Sequence, residues 1–243
     1  MKRSERHRLK ENDLSHAFTE ATARLAERQR TFGLVGGIVL AALVVGGGYW
    51  AWHTRAENRA QAMLGEALMI VQSPVEAPAP DANGKVAQVA GTYPTVNARA
   101  EAALTKFLQV ANDYPSTSAG IAGRYYAAAA LSMLGRPSEA VTRYQEVVDR
   151  AGAKNFYGRM AQLGVIEAHV QSKQFDQAIA KAEALANASD EALPRDAMLM
   201  ELGRAYAAGG KKTEAKQTFD KVVKEFPDSP FVDEAKSQLA ALT

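Results

Sequence analysis

One stretch limits what this chain can become more than any other. Phe32 to Trp52 reads FGLVGGIVLAALVVGGGYWAW and carries no charged side chain. It has roughly the 20 residues that a helix needs to cross the hydrocarbon core of a bilayer. Lipid supplies no hydrogen bonds, so a lone apolar run is stable there only as a helix that pairs its own backbone groups. Tyr49, Trp50 and Trp52 close the run on one side with rings suited to the headgroup layer. Arg24, Arg28 and Arg30 close it on the other. The preceding segment is long for the leader of a cleaved signal, and Tyr-Trp-Ala-Trp lacks the small residues of a cleavage site. A buried core helix is the plainer alternative, and the run's being apolar on every face argues against it. The expectation is an uncleaved anchor at residues 32–52.

Charge gives the expected orientation. Residues 1–31 hold eight lysines and arginines against five acidic side chains, while everything after the anchor holds 21 against 22. A basic flank stays in the cytoplasm, so residues 53–243 are expected outside it. A nearly neutral domain also argues against nucleic acid as a partner. Cysteine is absent, which excludes disulfides, thiolate metal sites and cysteine nucleophiles.

Residues 1–31 read as a basic cytoplasmic tail with a weak amphipathic helix. Leu14, Phe18, Ala21 and Leu25 recur at helical spacing behind a candidate cap, Asp13. That face fits a helix on the inner membrane surface, a docking face for a cytoplasmic subunit, or a solvated lead-in to the anchor. Within the anchor, Gly33 and Gly37 form a G-x-x-x-G that either pairs helices or reflects the frequency of glycine in membrane helices. Beyond it, Ala56, Ala60, Met63, Leu64, Ala67, Leu68 and Val71 share one face of a helix. The proline-rich stretch 73–94 follows, with little to bury, and is expected to be a mobile loop.

From Val96 the chain repeats. A small alanine is followed four residues later by an aromatic and three later by valine, most clearly around Ala103, Ala140 and Ala215. With Ala178 these alanines stand 37, 38 and 37 residues apart, a period that means a solenoid. Phe107, Tyr144 and Phe219 take the aromatic place, and Ala182 takes it in the third unit. Pro115 and Pro227 close the first and last units, and residues 229–242 form an expected capping helix with Asp233, Glu234, Lys236 and Gln238 outward.

These spacings, with Leu199, Leu202, Gly203 and Tyr206 upstream of Ala215, resemble the tetratricopeptide repeat. The resemblance implies an all-α fold: one transmembrane helix, then a solenoid at 53–243 whose first unit is interrupted by the loop at 73–94. The layout is similar to that of single-pass bacterial tetratricopeptide proteins related to the ancillary subunit of the Sec translocon. In that group the soluble part is thought to bind periplasmic chaperones and nascent exported chains beside the translocation channel, which implies an inner-membrane anchor with residues 53–243 in the periplasm.

Signs of catalysis are missing from the sequence. His7, His16, His53 and His169 stand at no metal-ligand spacing, and there is no H-E-x-x-H or G-x-S-x-G. Gly209-Gly210-Lys211-Lys212-Thr213 lacks the upstream glycine of a phosphate loop and reads as a turn between helices. Asn187-Ala188-Ser189 matches a glycosylation acceptor, a pattern common by chance. No cofactor is expected.

What remains is a binding surface. The resemblance places Tyr125 and Ala129, then Met160, Leu163, Glu167 and Val170, then Met200 and Arg204 on the leading helices that line the concave face. Tyr125 and Leu163 stand where some cytosolic members carry the lysines of a carboxylate clamp. The strip is therefore expected to be apolar, methionine-bearing and adaptable toward an apolar peptide segment, or else to be packing between neighbouring helices. The function expected is a membrane-anchored scaffold, not an enzyme, that assists protein export. The alternatives are a spacer in an envelope-assembly or cell-division complex and an accessory domain of an enzyme complex.

Overall fold

The computed structural model describes the backbone of residues 3–80, 86–188 and 193–242, and their side chains from residue 35 onward. The chain divides into two compact units, Met1–Arg55 and Ala56–Thr243. The first unit is helical throughout its described backbone, within helix α1 (Arg3–Gln72). Val35, Ile38, Leu40, Leu43, Val44 and Val45 are each more than half exposed. The face of Leu14, Phe18, Ala21 and Leu25, the flanking arginines and Gly33 lie outside the described side chains, as does Ser189 of the glycosylation pattern.

The second unit is a stack of antiparallel helix pairs, and its first helix is the C-terminal part of α1. There Ala60 and Ala67 are fully buried, and Leu64 and Leu68 pack beside them. The partner helix α2 (Val96–Asp113) comes after the proline-rich segment, capped by Thr95 Oγ1, which accepts the Ala98 amide at 3.0 Å. Then follow α3 (Ser118–Met133) with α4 (Pro137–Ala151), α5 (Phe156–Gln171) with α6 (Phe175–Ala186), α7 (Arg195–Ala208) with α8 (Lys212–Glu225), and α9 (Val232–Ala241). Hydroxyl and amide side chains start several of them: Thr117 Oγ1 accepts from Gly120 and Asn155 Oδ1 from Tyr157. Such caps satisfy amides that the helix itself cannot.

The turn inside each later pair is built one way. Gly135, Lys173 and Gly210 all have positive φ (71°, 60° and 75°) and stand 38 and 37 residues apart. Around each, an amide reaches back five residues to a carbonyl: Arg136 to Leu131 at 2.9 Å, Gln174 to His169 at 2.8 Å and Lys211 to Tyr206 at 2.9 Å. This left-handed closure satisfies the last carbonyls of one helix and reverses the chain into the next. Gly209 and Gly210 thus form the turn, and Lys212 and Thr213 already open α8.

Ala103, Ala140, Ala178 and Ala215 are all buried to 1% exposure or less, so the period in the sequence is the period of the core. Where helices touch, size is limiting. A Cβ on Gly164 would meet the Tyr144 ring at 2.5 Å, and one on Gly203 would meet the Phe219 ring at 2.5 Å. The core falls into two clusters that share α5: Val165 and Ala168 pack toward α3 and α4, and Ile166 packs toward α6 and α7.

Two expectations need correction. The segment at 73–94 is not wholly a mobile loop. Its two short strands, β1 (Ala79–Pro80) and β2 (Val86–Ala87), pair antiparallel, and Glu76 and Tyr93 exchange backbone bonds with the opposite limb near its base. Arg99 Nη1 holds the Ser73 carbonyl at 2.9 Å. Paired carbonyls and amides, not buried side chains, order this stretch. The closing helix also does not turn Glu234 outward. That carboxylate reaches back to Arg204 on α7 at 2.5 Å.

Candidate functional site

The leading helices α3, α5 and α7 lie side by side, each touching the next across the stack. A strip runs over them. At its α3 end Tyr125 is the hub of an aromatic group, with ring centroids 5.4 Å from Tyr126, 5.6 Å from Tyr144 and 5.7 Å from Tyr157. Tyr144 is buried beneath, while Tyr125, Tyr126 and Tyr157 are half-buried and Phe156 is exposed. Aromatic rings at these separations prefer tilted and edge-on contacts, which fixes the group as a rigid apolar platform with polar tips. Burial pushes the Tyr125 hydroxyl above its ordinary range, and the nearby charges of Tyr126 and Glu167 add to it.

Glu167 stands on α5 in the middle of the strip and is exposed. Its carboxylate accepts Gln171 Nε2 at 3.2 Å and has no ion-pair partner among the described residues. Beyond it, on α7, Glu201 is held by Arg204, and Arg204 Nη2 also holds Glu234 of α9. Burial raises the Glu201 carboxyl above the usual range. Arg204 opposes that, and the negative charges of Glu167 and Glu234 reinforce it. The strip therefore runs from an aromatic end to an acidic one, with Glu167 close enough to feel both.

Of the residues expected to line a groove, Tyr125, Met160 and Glu167 are at least partly exposed on this side. Leu163 and Val170 are half-buried and pack against the second core cluster, so they border the strip and also serve the core. Met200 lines nothing: it is fully buried. Its neighbour Glu201 takes the surface place, because one residue turns a helix by 100° and moves a side chain from one face to another. Arg204 is in the strip, but both its ion pairs are internal. Tyr157 and Glu201 escaped the sequence reading, and Glu234 was placed on the outer face of the closing helix; Tyr157 begins a helix beyond the signature places, and Glu234 reaches Arg204 from another element.

Elsewhere the chemistry is structural. His169 is half-buried, its Nδ1 2.7 Å from Gln174 Oε1 across the α5–α6 turn. Arg124 is buried between α2 and α4, donating to the Ala111 carbonyl at 2.8 Å and lying 3.8 Å from Glu146. A small apolar pocket of about 90 Å³ lies between Val71, Ala103, Tyr126, Ala129 and Met133. Among the described residues no group of three or more histidine, aspartate or glutamate side chains could hold a metal ion.

A family model described as tetratricopeptide repeat matches residues 196–229, the span of α7, α8 and the approach to α9. Crystal structures of nearly identical TPR-like repeats from a Podosopora anserina protein, described as a putative kinesin light chain, superpose on most of the chain. One gives a TM-score of 0.56 at 18% identity, covering 76% of this chain and 86% of that one. A point variant of the same repeats gives 0.55 at 18% identity, covering 76% and 85%. The fold is a tetratricopeptide-type solenoid behind one long apolar helix. No curated protein matches the sequence at a significant level.

Proposed function

We propose that this chain is a membrane-anchored tetratricopeptide-type scaffold that binds a protein segment along the strip over α3, α5 and α7, and that it is not an enzyme. The observation that carries this reading is the strip itself: partly exposed tyrosines, a carboxylate with no ion-pair partner among the described residues, and bordering apolar side chains on consecutive leading helices. Such a surface suits an extended or helical segment held by several modest contacts.

The anchor belongs to the same proposal. Residues 32–52 would span the inner membrane with the arginine-rich tail in the cytoplasm and 53–243 outside. The exposed apolar side chains from Val35 to Trp52 support this, because a soluble protein rarely leaves so long an apolar surface in water. The layout, with its likeness to proteins near the Sec translocon, supports a role beside chains that cross or assemble at the membrane.

Site-specific photocrosslinking in native membranes tests the binding face. A photoreactive side chain at Tyr125 should form discrete protein adducts, and one at Lys221, exposed on α8, should not. Equal adducts from both positions, or none from Tyr125, would remove the strip from consideration and leave the hairpin segment or the N-terminal tail as the binding element.

A further inference from the structure

We infer that the segment taken by this strip is cationic: an extended stretch of a partner protein bearing lysine or arginine, its charge seated over Tyr125 and against Glu167. This rests on the reading of the strip as the binding face and names its partner class.

Charge complementarity selects that occupant. Among the described residues the strip carries Glu167, Glu201 and Glu234 against a single guanidinium, Arg204. Arg204 is bonded to Glu201 and Glu234, which leaves Glu167, among the described residues, with the amide of Gln171 alone. An apolar segment laid over α5 would strip water from Glu167 and return nothing, and burying an unpaired carboxylate is costly. An acidic segment would add like charge. A lysine or arginine neutralises the carboxylate and gains charge-assisted hydrogen bonds.

The aromatic end points the same way. Tyr125 lies within 5.7 Å of Tyr126, Tyr144 and Tyr157, so its ring is held in place before any ligand arrives. A cation over a tyrosine face is attracted by the ring quadrupole, more so where water is partly excluded. The guanidinium plane can stack there while its edge reaches a carboxylate, which an ammonium does less well. The packing of α3 on α5 and of α5 on α7 sets these groups on adjoining helices, so one extended segment can meet both.

The test uses the full chain in micelles of an uncharged maltoside detergent and three fluorescein-labelled peptides of repeated Leu-Arg-Ala, Leu-Gln-Ala and Leu-Glu-Ala. Anisotropy should show the arginine peptide binding about tenfold or more tighter than the glutamine peptide, with the glutamate peptide weakest. That advantage should shrink several-fold between about 50 and about 300 mM salt, as partly exposed charge pairs are screened. Glu167→Gln should bring the arginine peptide down to the level of the glutamine peptide. Glu225→Gln, an exposed carboxylate on α8, should change nothing. Equal affinity for the arginine and glutamine peptides, no binding by any peptide, or an arginine preference that survives Glu167→Gln would overturn the inference. If both peptides bind equally and Tyr125→Ala weakens both, the strip remains the binding face and only its charge preference is lost. Failure of the photocrosslinking at Tyr125 is the separate result that removes the strip.

Discussion

The Glu57 carboxylate accepts the backbone amides of Ser118 at 2.8 Å and Ala119 at 3.2 Å, 61 and 62 residues further along the chain. It thereby places a negative charge at the start of α3 and satisfies two amides that the helix cannot. Thr117 serves the third, donated by Gly120. A single acidic residue on α1 so ties the leading helix of the first repeat to the second repeat.

Glu57→Ala should therefore cost more than a surface change. Losing a cap typically costs about 0.5–2 kcal/mol, and the favourable interaction with the helix N-terminus adds to that. Thermal unfolding of the full chain in detergent should show the loss. Hydrogen exchange should quicken first in residues 57–72 and at the start of α3. A variant with unchanged melting and exchange would show that apolar packing of Ala60 and Ala67 alone holds the helix.

Two glycine substitutions should move stability in opposite directions. Gly203→Ala drives a methyl to within 2.5 Å of the Phe219 ring. Overpacking of this kind costs about 1–3 kcal/mol. Gly65, in the described part of α1, has nothing within 4 Å of an added Cβ. There Gly65→Ala should stabilise by up to about 1 kcal/mol through backbone entropy. The related pair Ala215→Leu and Ala208→Leu should differ likewise, since Ala215 is fully buried and Ala208 is exposed. Equal melting temperatures within either pair would contradict the packing described.

The repeat was legible because its spacing is set by contact. Ala103, Ala140, Ala178 and Ala215 must be small wherever two helices close, and a constraint of that kind repeats in the sequence. The strip was legible only to about one residue of helix phase, so Met200 was read outward and Glu201 was missed. Glu234 was beyond reach because its partner, Arg204, stands 30 residues away on another helix. The pairing of β1 with β2 was missed for a different reason. Its strands are two residues long and held by backbone bonds, so they leave no alternating pattern of side chains.

Glu201 should make stability depend on pH in an identifiable direction. Burial, then the charges of Glu167 and Glu234, raise its carboxyl against the pull of Arg204. The folded chain then keeps that proton to higher pH than the unfolded chain, whose glutamates titrate near about 4.3. Its contribution is full below that value and is lost as pH rises from there through the raised folded value. Melting temperatures of the native chain and of Glu201→Gln, taken across that range, should show the native chain losing ground to the variant as pH rises. A gain instead would mean that the ion pair with Arg204 outweighs burial.

The proposed orientation has a direct reporter. Alkaline phosphatase, active only outside the cytoplasm, should be active when fused after Thr243. A stable but inactive fusion would reverse the topology. N-terminal sequencing that began beyond Trp52 would show a cleaved signal in place of an anchor.

Lys173 gives the last prediction. It is the one non-glycine residue among those described with a positive φ, 60°, and it stands where the neighbouring repeats place Gly135 and Gly210. The backbone around it makes the same bonds as theirs, Lys173 N to the Val170 carbonyl at 3.0 Å and Gln174 N to the His169 carbonyl at 2.8 Å. The third repeat thus keeps the turn but carries its strain, because a left-handed residue with a Cβ costs about 1–2 kcal/mol. The side chain is exposed, so little packing is lost on removing it. Lys173→Gly should stabilise the fold by up to about 1 kcal/mol, the relief of strain offset by the greater freedom of glycine in the unfolded chain. Gly135→Ala and Gly210→Ala should destabilise by a similar amount. Urea unfolding of the three variants in detergent provides the measurement, and hydrogen exchange in α5 and α6 locates the effect. If Lys173→Gly lowers stability, the turn of the third repeat is held by contacts of the lysine side chain and not by the left-handed closure shared with its neighbours.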